Sequence, residues 1–265
     1  MDDQQLTTET TQAAPVKPMT FTEKLANIFA APGELFENVR LTGKTTSNWL
    51  LPMFIMILVA VIMQQIVISN PSLADQTREM ISKTTETRLQ KAVQEGKMTP
   101  EQAQQAREQT EAFAQPGSTI STVIRIVGIL VVMPIVLFLI SLVYWLVGKT
   151  AMSASAPYMK VVEVVGLTFL IGAVESIVTT VMMIGFDSLH ATPSLALFVQ
   201  NFSIENKLDL ALAKVNVFTI WSLIVTSIGL SKLFQRDLPK VLVLVFALWV
   251  LWSVVTILTG LNFGA

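Results

Sequence analysis

Cysteine is absent from this 265-residue chain, and histidine occurs once, at position 190. Without thiols there can be no disulfide, no thiolate metal site and no cysteine nucleophile. One imidazole cannot make an HExxH motif or a Cys/His zinc site. His190 is not accompanied by a GxSxG nucleophile elbow, and no glycine loop of the phosphate-cradling type is present. Charge is scarce as well: 14% of residues are charged, 52% are hydrophobic, and the net charge is −1. That balance offers nucleic acid no basic footprint. The reading is of a chain without enzymatic activity, with no catalytic, cofactor-binding or metal-binding residue to nominate and no cofactor.

What the chain has in abundance is apolar length. Residues 49–69, 123–147, 161–185, 211–230 and 241–260 are each about as long as a bilayer-spanning helix, roughly 17–25 residues. The first and last contain no Asp, Glu, Lys or Arg. A soluble core helix of that length would keep a polar face toward water. No span contains Asp, which excludes an intramembrane aspartyl protease pair. In lipid every backbone amide must find its partner within the segment, so the spans should be helices. The expected fold class is all-α: a polytopic membrane protein, a bundle of five transmembrane helices with an extramembrane helical hairpin. No basic n-region precedes an apolar h-region at the N-terminus, so the first span is expected to direct its own insertion.

The polar segments divide the rest. Residues 1–20, rich in Thr, Gln, Ala and Pro, read as a disordered tail. Residues 21–48 read as an interfacial amphipathic elbow. Thr22 can cap a short helix with Leu25, Ile28 and Phe29 on one side, Pro32 and Gly33 break it, and a second piece carries Leu35, Phe36 and Val39. Leu25, Phe29, Pro32 and Phe36 mark the elbow, which suits the headgroup layer or a surface packed on other protein. Residues 49–265 form the membrane domain. Its longest polar insert, 70–122, holds a helical hairpin at 72–114: Glu79 and Lys83 stand at i, i+4, Gly96 ends the first helix, and Thr99-Pro100-Glu101-Gln102 opens the second as a capping box. The second helix carries Ala103, Ala106 and Phe113 on a narrow stripe. The hairpin is either a partner contact or a solvated decoration. After the third span, SLALFVQNF following Pro193 is long enough for one interfacial helix, and Asn201-Phe202-Ser203 matches a glycosylation sequon by chance.

Basic residues near span ends set the orientation. With the N-terminus inside, the inner connections hold nine of them, from Lys17 to Lys240, against Lys207 alone in the short outer ones. The hairpin's six basic residues are offset by seven acidic ones. The expected topology is N-terminus cytoplasmic, C-terminus outside. In that orientation spans one, three and five run outward. Gln64, Gln65, Glu175 and Thr256 then fall at a common depth of ~21–22 Å by helical rise. They form a candidate intramembrane polar layer, with Glu175 bonded to Gln64 or Gln65 or else protonated. Its role is either a packing hydrogen bond or a proton- or solute-coupling site.

Three phrases resemble the Yip family, the multispan membrane proteins named for association with Ypt/Rab GTPases, and in particular its bacterial branch. NIFAAPGELFENVR at 27–40 carries Phe29, Pro32 and Phe36 in the family's Phe…Pro…Phe pattern before the first span. KVNVFTIWSLIVTSIGLS at 214–231 carries Phe218, Trp221 and Gly229 where family members place Phe, Trp and Gly. A basic turn and a final span follow from Lys232 and Lys240. The resemblance implies a five-span bundle with a cytoplasmic N-terminus and no catalytic activity, placed in the bacterial inner (plasma) membrane. The lipid bilayer is then the first partner, with other membrane proteins or a second copy beside it, and a small GTPase by family analogy alone. Two functions follow: a non-enzymatic scaffold in membrane organisation or trafficking, or a permease or channel component built on the polar layer. Gly172 and Ser176 are the small residues nominated for close helix packing.

Overall fold

The computed structural model describes residues 16–110, the helical backbone of 111–113, and residues 118–200 and 202–259. Positions 1–15 of the tail, 114 of the hairpin, Asn201 of the sequon and 260 of the last span lie outside the described residues, as does the side chain of Phe113. The chain is all-α. Among the described residues five helices are long and apolar enough to cross a membrane: α3 (Ser47–Ser69), α6 (Thr119–Ala151), α7 (Tyr158–Gly185), α9 (Val217–Phe234) and α10 (Leu238–Thr259). Before them come α1 (Phe21–Ala30) and α2 (Pro32–Leu41). The hairpin is α4 (Pro71–Gln94) and α5 (Pro100–Phe113), and α8 (Lys207–Lys214) precedes α9.

Local signals explain the boundaries. α1 starts two residues earlier than Thr22 would place it. Thr20 is the cap, its hydroxyl accepting from the Glu23 amide while the Glu23 carboxylate accepts from the Thr20 amide at 2.7 Å. Gly96, at φ +67°, ends α4 in the left-handed region. Thr99 and Gln102 exchange capping bonds at 2.9 and 3.3 Å at the start of α5, and Glu79 pairs with Lys83 at 2.7 Å. The fourth span differs from its expected limits of 211–230. Asn216 adopts an extended backbone and caps α9 through a 2.8 Å bond from the Phe218 amide. The preceding apolar residues therefore form the separate helix α8. The segment after Pro193 is a single 3-10 turn at Leu195–Phe198.

α7 is the centre of the bundle, packing on α3, α6 and α9. Thirteen of its residues are buried, among them Val161, Leu167 and Ile171 at 0% exposure. α6 and α10 leave most of their surface uncovered, as lipid-facing helices do. Three glycines stand at tight crossings, and a Cβ on the first, Gly148 of α6, would lie 2.5 Å from the Phe234 ring of α9. A Cβ on Gly166 would lie 2.6 Å from the Trp49 Cα, so α3 and α7 touch backbone to side-chain-free backbone there. A Cβ on Gly229 would lie 2.5 Å from Val164 and 3.1 Å from the Phe36 ring. Gly172, expected to serve this purpose, meets only Met56 at ordinary distance, 3.5 Å.

Candidate functional site

The two pre-membrane helices bury their apolar stripe in the bundle. Ile28, Leu35, Phe36 and Val39 are at most 1% exposed, and α2 packs on α9 and α7. Phe29 meets Trp221 edge to face at 5.5 Å, whereas Leu25 is 39% exposed. Phe36 and Phe29 thus pack on protein; of the expected elbow markers only Leu25 points outward as a large apolar side chain. The stretch just before α1 is tied down too: Asn38 accepts from the Met19 amide and donates to the Lys17 carbonyl at 3.0 and 2.9 Å.

On the same face of α1 as Ile28, one turn earlier, stands Lys24, and it enters a buried polar knot. Its ammonium donates to Asn48 Oδ1 at 2.7 Å, and Asn48 Nδ2 donates to Glu163 Oε2 at 2.7 Å. The other carboxylate oxygen accepts from the Thr45 amide at 3.0 Å. Lys160 Nζ donates to Glu163 at 3.1 Å and to the carbonyls of Val39 and Gly43 at 2.7 and 2.9 Å. Its three protons therefore have three acceptors. Lys24, Asn48, Lys160 and Glu163 are all at most 6% exposed.

The arrangement matches both helix dipoles at one junction. Val39 lies in the last turn of α2, where carbonyls without helical partners attract a cation. Thr45 lies just before α3, where free amides attract an anion. Lys160 and Glu163, three apart on α7, therefore clamp the end of one helix and the start of the next. A buried ion pair gains stability only when its remaining groups are also bonded, and here they are. Two ammoniums share one carboxylate, so the knot is formally cationic. Burial lowers the Lys24 pKa below the ordinary lysine value, with Glu163 opposing and Lys160 reinforcing that shift.

The members of the expected mid-membrane layer take separate partners. Glu175 accepts from Asn216 Nδ2 at 2.8 Å, not from Gln64 or Gln65. Gln64 is half-buried and Gln65 exposed. Thr256 is buried, its hydroxyl donating to the Ser253 carbonyl within α10 at 2.9 Å. Thr256 stays apart because α10 packs on α9 and α8, whereas Gln64 and Gln65 lie on α3, which does pack on α7, yet Glu175 takes Asn216 instead. Asn216 was hidden from sequence reasoning inside the assumed fourth span. The knot was hidden differently. Lys160 counted only as a basic residue of a connection, although the i, i+3 pair at the mouth of α7 and a lysine on the stripe of α1 were legible signals.

Among the described residues no group of three or more His, Asp or Glu side chains could hold a metal ion. A second feature flanks the knot on the same side of the bundle: a groove of about 510 Å³ between α2 and the α9–α10 turn. Its charged side chains include Glu37, Arg40 and Lys232. The family model of the Yip1 domain matches residues 26–259, from the middle of α1 to the end of α10. No curated protein and no solved structure matches the chain.

Proposed function

The chain belongs to the Yip1 domain family, and from that premise we propose that it is a non-enzymatic, multi-pass scaffold that presents the α1–α2 module at the cytoplasmic face of a bacterial inner membrane. The N-terminus is cytoplasmic and the C-terminus outside, on the strength of the basic residues gathered at the ends of α6 and α9. The observation that carries the reading is the knot. Its charges are spent on fastening α1 and α2 to α3 and α7, with the carboxylate and Lys160 fully engaged by protein. A module so held keeps a fixed outer surface, including Ala26 and Glu34, for another membrane protein or a second copy.

The test is site-specific photocrosslinking in intact membranes. A crosslinker at position 26 or 34 is expected to give discrete protein adducts, while one at lipid-facing Val127 gives none. Absence of adducts at both module positions removes the scaffold reading. The competing permease reading draws on half-buried Glu175 and buried Asn216, a polar pair within the bundle. Solute flux across liposomes carrying the purified chain, abolished by Glu175→Leu, would replace the scaffold with a transporter.

A further inference from the structure

We propose that the groove between α2 and the α9–α10 turn binds the phosphate headgroup of an anionic phospholipid. The inference rests on membrane placement and not on the scaffold reading; the leaflet, cytoplasmic, follows from the orientation above. Arg40 and Lys232 converge on a single carboxylate: Arg40 binds Glu37 through Nε and Nη2, and Lys232 Nζ stands 3.8 Å from Glu37 Oε2. Arg236 hydrogen-bonds neutral groups, the carbonyls of Met152 and Ser153 at 2.8 and 3.4 Å. The nearby Asp237 carboxylate is held by Lys240 at 2.8 Å. Four cations thus face two carboxylates, and two positive charges are left over.

An excess of two more than offsets the single negative charge of a lipid phosphodiester. Lys232 is 44% exposed, so its ammonium can turn toward a ligand without leaving a buried partner. α10 begins at Leu238 in the groove wall, and the positive end of its dipole adds to the attraction. What selects a lipid over a free anion is the apolar part of the lining. Ile228 and Leu238 belong to helices long and apolar enough to span, so the groove has an apolar edge on the membrane side of its charges. A diacyl chain can run along that surface while the phosphate sits among Arg40, Lys232 and Arg236. Clusters of basic residues beside a span attract anionic lipids in this way.

The full chain in detergent is titrated with a short-chain phosphatidylglycerol, with the matching phosphatidylcholine, and with glycerol 3-phosphate. Binding is read by native mass spectrometry and by the shift in unfolding temperature. Phosphatidylglycerol is expected to bind saturably and the other two at least about tenfold more weakly, since removing the net charge or the chains removes half the recognition. The Arg40→Gln/Lys232→Gln variant is expected to lose about tenfold in affinity, and the more conservative Lys232→Gln about fivefold. A Lys83→Gln/Lys91→Gln control on the hairpin should bind as the native chain does. Equal binding of the two lipids, or native affinity in Lys232→Gln, overturns the site. Glycerol 3-phosphate binding as tightly as phosphatidylglycerol overturns the lipid assignment, leaving a soluble-anion groove.

Discussion

Glu163 accepts hydrogen bonds from the α2–α3 connection, from the first turn of α3 and from Lys160 of its own helix. Glu163→Leu leaves Lys160, Asn48 and the Thr45 amide without their acceptor and two ammoniums without a counter-charge. Breaking a buried pair this way costs about 3–5 kcal/mol, so thermal unfolding in detergent should occur at a markedly lower temperature. Lys160→Met/Glu163→Met should recover part of that loss, and a double variant no better than Glu163→Leu would show that the ion pair is not the coupled unit. At Glu175 the neighbouring chemistry is gentler. Glu175→Gln keeps a carbonyl for Asn216 to donate to and is expected to unfold close to the native temperature. Glu175→Leu orphans the Asn216 amide and costs about 1–3 kcal/mol. If both variants behave alike, the Glu175–Asn216 bond contributes nothing measurable. Neither the Asn48–Glu163 nor the Asn216–Glu175 bond was legible in advance. Glu163 lies 115 residues from Asn48, and Asn216 lies 41 from Glu175; depth along a helix can be counted from sequence, but the direction in which a side chain points depends on which helices become neighbours.

The spanning helices were legible because apolar length is a local property that each run declares by itself. The fourth was shortened by one polar residue, Asn216, whose capping bond outweighs the hydropathy of its surroundings. α1 and α2 were legible as amphipathic pieces, but periodicity alone does not tell a lipid-facing stripe from one covered by protein. The distinction makes a sharp prediction. Phe36, 1% exposed against α9, should cost about 3–5 kcal/mol as Phe36→Ala. Leu25→Ser, at a surface position, should stay within about 0.5 kcal/mol. Equal effects in unfolding experiments would return the elbow to the headgroup layer. Helix crossings give a parallel comparison. Gly166→Ala drives a methyl into the Trp49 backbone and should destabilise by about 1–3 kcal/mol, while Gly172→Ala meets only a flexible methionine and should be nearly neutral.

For the molecule as a whole, the orientation is open to direct chemical test because the native chain has no cysteine. Gln90→Cys on the hairpin is expected to react with an impermeant thiol reagent in intact cells. Lys240→Cys, at the inner turn, should react only after lysis, and the reverse pattern would invert every statement about leaflet made above. The five crossings are also unequal. α9 has 18 residues, ~27 Å of rise, against 33 residues and ~50 Å for α6. Its N-cap Asn216 is joined to α7 at Glu175, ten residues short of Gly185, and Phe198 and Leu208 of the intervening connection are exposed. Acyl chains beside α9 therefore meet a wall shorter than the ~30 Å hydrocarbon layer, and mismatch of this sign is relieved by thinning the bilayer. The protein should dimple the leaflet on the α8 side and enrich shorter-chain lipids there. In vesicles with coexisting thin and thick domains it should partition into the thin ones; even partition would mean that the connection restores the missing thickness.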